Sequence, residues 1–133
     1  MKKLLIFAAL VLAGCGADDK SEETSIACSS YNILNATNYE LKLTLKERAE
    51  TAPRIWTLPQ GDDYWFLYCH ASDRWNGGPL LDKNVESFQV TTIGYDPELT
   101  YSIPLDVTRW VGENYPEEWK VEYRFNLLES YLR

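Results

Sequence analysis

Residues 119–127 read Trp-Lys-Val-Glu-Tyr-Arg-Phe-Asn-Leu. Trp119, Val121, Tyr123, Phe125 and Leu127 alternate with Lys120, Glu122, Arg124 and Asn126. An extended chain turns successive side chains to opposite faces, so this pattern predicts a strand with one packed face and one wet face. One-sided burial belongs to antiparallel sheets, because parallel strands are usually covered on both sides. Residues 39–46 repeat the pattern. Tyr39, Leu41, Leu43 and Leu45 alternate with Glu40, Lys42, Thr44 and Lys46.

Shorter signals fill the chain between these two segments. Tyr31, Ile33 and Leu34 precede Asn35-Ala36-Thr37-Asn38, a turn-rich stretch that predicts a hairpin into the Tyr39 strand. Ile55 to Leu58 forms a strand that ends at Pro59-Gln60-Gly61-Asp62-Asp63. Tyr64 to Cys69 is apolar or aromatic throughout and reads as a central strand covered on both faces. Val85 to Ile93 follows, with Phe88, Val90 and Thr92 on one face, and Gly94-Tyr95-Asp96-Pro97 breaks it. Leu99, Tyr101 and Ile103 alternate up to Pro104, which suits an edge or a bend. Asp106 to Val111 fits either a helical turn with Asp106 as its N-cap or another short strand. About seven strands separated by frequent turns predict an all-β fold. It would be a small antiparallel β-sandwich with an immunoglobulin-like layout, in a single domain over residues 26–133.

The N-terminus has a different character. Lys2 and Lys3 precede the apolar run Leu4 to Leu12, and Leu12-Ala13-Gly14-Cys15 closes it. The run is far short of the roughly 20 residues needed to cross a bilayer, and its layout is that of a secretory signal. Leu12-Ala13-Gly14-Cys15 resembles the lipobox of bacterial lipoproteins. The resemblance implies removal of residues 1–14 as a signal peptide and diacylglycerol on the Cys15 thiol. The protein would then be lipid-anchored; Gly16 is not the aspartate that marks inner-membrane retention in enterobacterial lipoproteins, so the bacterial outer membrane is expected, facing either the cell surface or the periplasm. The alternative is an ordinary signal peptide with an incidental cysteine. Two or more acyl chains hold a membrane firmly where one does not.

Residues 16–25, Gly-Ala-Asp-Asp-Lys-Ser-Glu-Glu-Thr-Ser, have no apolar periodicity. Residues 15–25 are therefore expected to be a lipidated cysteine followed by a flexible acidic tether. Acidic residues just after such a cysteine resemble the surface-export signal of Bacteroidota lipoproteins; a plain solvated linker is the alternative.

Removal of residues 1–14 takes two of the thirteen basic residues and none of the twenty acidic ones, which leaves a formal charge of −9. An acidic chain lacks the electrostatic footprint of a nucleic-acid binder, so no nucleic-acid partner is expected. Membrane contact is expected through the lipid on Cys15 alone. Once Cys15 is set aside, Cys28 and Cys69 remain. In a non-reducing compartment an even pair suggests a disulfide, closing a loop of about 42 residues worth ~4 kcal/mol. Two buried free thiols are the alternative.

Motifs for catalysis and for cofactors are missing from the sequence: no phosphate loop, GxSxG, HExxH or EF-hand pattern occurs. No cofactor and no metal site are therefore expected. His70 stands near Ser72 and Asp73, but residues so close along a strand seldom converge into a triad. The acidic pairs Asp62-Asp63, Asp96/Glu98 and Glu117-Glu118 fall in turns, where local hydrogen bonding accounts for them. Calcium binding at Asp62-Asp63 or Asp96 is the alternative.

Of the five tryptophans, Trp56, Trp65 and Trp119 lie in strand patterns and are expected in the core, while Trp110 is open. Trp75 lies in the irregular loop 71–79 between Arg74 and Asn76. Arg74, Trp75 and Asn76 are the candidate binding residues, an aromatic ring flanked by polar groups. A tryptophan folded back over the end of the sandwich is the alternative. These readings favour a non-catalytic binding or interaction module for a glycan or an envelope protein. A structural accessory of an envelope assembly and a hydrolase with dispersed carboxylates are the rivals.

Overall fold

A computed structural model describes residues 24–133. The lipobox, Cys15 and residues 16–23 of the expected tether lie outside the described residues. Among the described residues, eight strands form two four-stranded sheets. They are β1 (Ser25–Asn35), β2 (Leu41–Glu47), β3 (Arg54–Leu58), β4 (Asp63–Ser72), β5 (Val85–Thr92), β6 (Thr100–Ser102), β7 (Val111–Tyr115) and β8 (Lys120–Leu127). A single-turn helix, α1 (Leu81–Asn84), precedes β5, and three short 3-10 turns follow β6, β7 and β8. The first sheet runs β4-β1-β8-β7 and the second β3-β2-β5-β6. The β-sandwich expected from the alternating segments is present.

Its topology differs from the expectation in three respects. β1 does not form a hairpin with β2; it pairs antiparallel with β4 and parallel with β8. The turn-rich Asn35 to Asn38 carries the chain from one sheet to the other. Asn35 is fully buried there and its Nδ2 donates to the carbonyls of Tyr39 (2.7 Å) and Leu58 (2.9 Å). Its Oδ1 accepts from the Thr37 amide at 3.0 Å and the Thr37 hydroxyl at 2.6 Å. One side chain thus satisfies the polar groups of a buried corner. Second, β4 is an edge strand, open on its outer face. Third, β7, Val-Gly-Glu-Asn-Tyr, has no alternation and becomes a strand by pairing with β8. The strand order also differs from an antibody domain, where the first, second, fifth and fourth strands share a sheet. The likeness to an immunoglobulin goes as far as two stacked sheets.

The inner faces meet in an aromatic and aliphatic core. Tyr31 of β1 stacks on its register partners Phe66 (5.2 Å) and Tyr123 (5.4 Å), and Trp110 stands edge-on to it at 5.6 Å. Leu41, Leu43, Leu45, Phe88 and Val90 face them from the second sheet. Trp110 is buried and its indole donates to the Pro104 carbonyl at 2.7 Å. Asp106 caps the turn before it, accepting from the Thr108 amide at 3.0 Å. The Thr108 hydroxyl, which donates to the same oxygen at 2.8 Å, and the Thr108 amide hold the Asp106 carboxyl below the usual range.

Of the three tryptophans expected in the core, Trp56 packs against it, while Trp119 and Trp65 do not. Trp56 is half-buried, lying against Tyr64 and Phe88. Trp119 is not in the core. It is the left-handed residue (φ 54°) that ends the 3-10 turn before β8, and its ring is half-exposed. Trp65 is 45% exposed on the outer face of β4. Its neighbours in the run, Phe66 and Tyr68, turn inward, so the apolar run has two faces with different fates.

Candidate functional site

The two outer faces of the sandwich are unlike. On the second sheet Lys42, Thr44, Gln89, Thr91 and Ser102 make a polar surface, with Ile55 as the exposed apolar residue. On the first sheet the outer residues of β4 and β1 include Trp65, Leu67, Ile26 and Leu34. A groove of about 600 Å³ crosses one end of this face. Asn32, Asp63, Trp65, Arg109, Arg124 and Asn126 supply its polar and aromatic lining, and Leu34, Val111, Leu128 and Tyr131 its apolar lining.

Register explains how residues so far apart in sequence meet. Trp65 is paired with Asn32, Asn32 with Arg124, and Arg124 with Val111, which makes one row across four strands. Asp63, Leu34 and Asn126 make the next row. Arg109, in the 3-10 turn Val107–Arg109, completes the wall beyond β7.

The groove holds its platform in place. The Trp65 indole donates to Asp63 Oδ2 at 3.2 Å, and the Asn32 amide donates to the same oxygen at 2.9 Å. Asn32 is itself buried, so Asp63 is anchored from the neighbouring strand β1 as well as from its own strand. Arg124 is well exposed, with Nη2 4.0 Å from Glu122 Oε1. Glu122 is more closely engaged by Lys120, at 3.0 Å. That bond raises the Lys120 ammonium above its usual range. A flat apolar ring, two carboxamides and one guanidinium on a rigid sheet, with a second guanidinium on the adjoining 3-10 turn, can stack a ring and grip its hydroxyls or charges. Asp63 is the single carboxylate among the lining residues. Glycoside hydrolysis ordinarily needs two carboxyl groups within about 5–9.5 Å of each other. No protein-family model matches the chain, and no curated protein is similar to it in sequence.

The other candidate residues lie elsewhere. Cys28 and Cys69 are register partners on β1 and β4 and are joined by a disulfide on the same outer face. The loop carrying Arg74, Trp75 and Asn76 leaves the far end of β4, away from the groove. Trp75 is half-buried and its ring stands edge-on to Trp119 at 6.1 Å; Arg74 and Asn76 are exposed. Gly78 brings this loop hard against β1, where an added Cβ would lie 2.0 Å from Ser29 Oγ. Beside it, the Tyr31 hydroxyl donates to the Pro79 carbonyl at 2.7 Å. The Ser72 hydroxyl donates to the Arg74 carbonyl at 2.6 Å, so it is turned toward the loop and not toward His70. Asp62, Asp96, Glu98, Glu117 and Glu118 stay exposed in turns. Among the described residues, no three His, Cys, Asp or Glu side chains converge as metal ligands.

Proposed function

We propose that this protein is an outer-membrane lipoprotein, held by lipid on Cys15, whose sandwich is a non-catalytic module binding a saccharide in the Trp65 groove. The observation that carries the reading is the exposed indole pinned by Asp63 in a groove where two carboxamides and two guanidiniums stand beside an apolar wall of Leu34, Val111, Leu128 and Tyr131. An exposed tryptophan on a rigid strand costs a soluble surface an apolar patch, and stacking a sugar ring would cover it. The groove takes the role that the Arg74-Trp75-Asn76 loop held on sequence grounds, since Trp75 is engaged with Trp119.

A glycan array probed with the intact protein and with Trp65→Ala tests the module. Retention by the first and loss by the second is expected. Replacing Cys15 with Ala tests the anchor: incorporation of a fatty-acid analogue should cease.

The second reading is a structural accessory of an envelope assembly. β4 is a ten-residue edge strand that carries exposed Leu67 (56%) beside exposed Ile26 (57%) of β1, and such edges accept another strand. Light scattering of Leu67→Lys against the parent protein separates the two. A fall in mass on substitution favours assembly, and an unchanged monomer favours the glycan module.

A further inference from the structure

We infer that the groove selects a saccharide bearing a carboxylate, and that Arg124 and Arg109 are the residues that recognise the acid. The inference rests on the saccharide reading above and narrows it. The groove contains two guanidiniums and one carboxylate, in a chain whose formal charge is −7. Its local sign therefore opposes that of the protein as a whole. The one carboxylate is already engaged: Asp63 accepts from Asn32 and Trp65, both neutral donors. Arg124 is 59% exposed, and the 4.0 Å to its nearest acid, Glu122, exceeds hydrogen-bonding distance. Its fork of N–H donors is left for a ligand, and that planar fork matches a carboxylate with two parallel bonds.

The row Trp65–Asn32–Arg124 sets the spacing. Two strand intervals, about 10 Å, separate the indole strand from the guanidinium strand. One ring can stack on Trp65 while an acid on the same oligosaccharide meets Arg124. The acidic surface elsewhere repels such a ligand, which confines attraction to the groove and makes it sensitive to salt.

The test uses the intact protein on an array of oligogalacturonate, sialylated and neutral oligosaccharides. Any acidic oligosaccharide retained is then titrated beside its carboxyl-reduced counterpart. The acidic form is expected to bind more tightly, and less so as salt rises. Arg124→Gln and Arg109→Gln should each weaken the acidic form roughly tenfold and leave the reduced form unchanged. Trp65→Ala should weaken both. Circular dichroism of each variant checks that it is folded. Equal affinity for the two forms, or selection of neutral members alone, overturns the acid inference and leaves the saccharide reading standing. Retention of no glycan at all sinks both.

Discussion

The indole Nε1 of Trp65 donates to Asp63 Oδ2 at 3.2 Å, two residues back along the same strand. Residues two apart share a face of a sheet, so this bond lies wholly on the outer surface of β4. It fixes an exposed ring without burying it, which suits a binding platform: little rotamer entropy is left to lose when a ligand arrives.

Trp65 and Trp110 are expected to respond very unequally to the same substitution. Trp65→Ala should change stability by less than about 1 kcal/mol, since the ring is 45% exposed. Trp110→Ala should cost about 3–5 kcal/mol, because that ring is 6% exposed and packs on Tyr31 and Phe125. Urea denaturation compares them. A large loss at Trp65 would show that the ring supports the fold.

The buried corner makes a sharper demand. Asn35→Ala removes both donors to the Tyr39 and Leu58 carbonyls and the acceptor for Thr37. Each buried group left unpaired costs about 1–3 kcal/mol, so a loss of roughly 3 kcal/mol or more is expected. The neighbouring exposed Asn38→Ala serves as the control and should stay within about 0.5 kcal/mol. Similar losses at both positions would mean that the corner does not carry the load assigned to it.

Two glycines separate steric need from backbone need. At Gly78 a Cβ would meet Ser29 Oγ at 2.0 Å and the Cys28 carbonyl oxygen at 2.6 Å, so Gly78→Ala must displace the loop from β1. At Gly61 nothing lies within 4 Å, but φ is +80°. Gly61→Ala should therefore cost only the left-handed penalty of about 1–2 kcal/mol. Gly78→Ala should cost more and should alter Trp75 fluorescence as the loop moves. Equal stability losses with unchanged fluorescence would contradict the close approach.

Alkaline pH should weaken the fold through its tyrosines. Burial raises the Tyr68 phenol from 10.0 to about 12, and burial drives Tyr31 upward as well. Below pH 10 the phenols are neutral in both states and the fold keeps its full stability. Between pH 10 and about 12 the unfolded chain ionises first, so stability falls as pH rises. Tyr68→Phe should flatten this fall. Denaturation midpoints across that range measure it, and an identical pH profile in parent and variant would refute the assignment.

Period-two alternation was enough to place Leu41, Leu43 and Leu45 inside and Lys42 and Thr44 outside, because side-chain direction in a strand is a local property of the backbone. The same reasoning located β5 and β8 and, from their sum, a sandwich. The corner at Asn35 and the edge position of β4 lay beyond it. Which strand pairs with which depends on contacts between segments dozens of residues apart, and β7 is a strand only because β8 lies beside it.

The groove shows the division most plainly. From the sequence, Tyr64 to Cys69 is an apolar run, and such a run looks the same whether its outer face is covered or bare. No layer covers the first sheet's outer face among the described residues, which leaves Trp65 exposed. The local pattern determined that the run is a strand. Only the tertiary structure decided that Asn32, Trp65 and Arg124, from three segments of the chain, stand in one row, because pairing register is a long-range choice that no single segment contains.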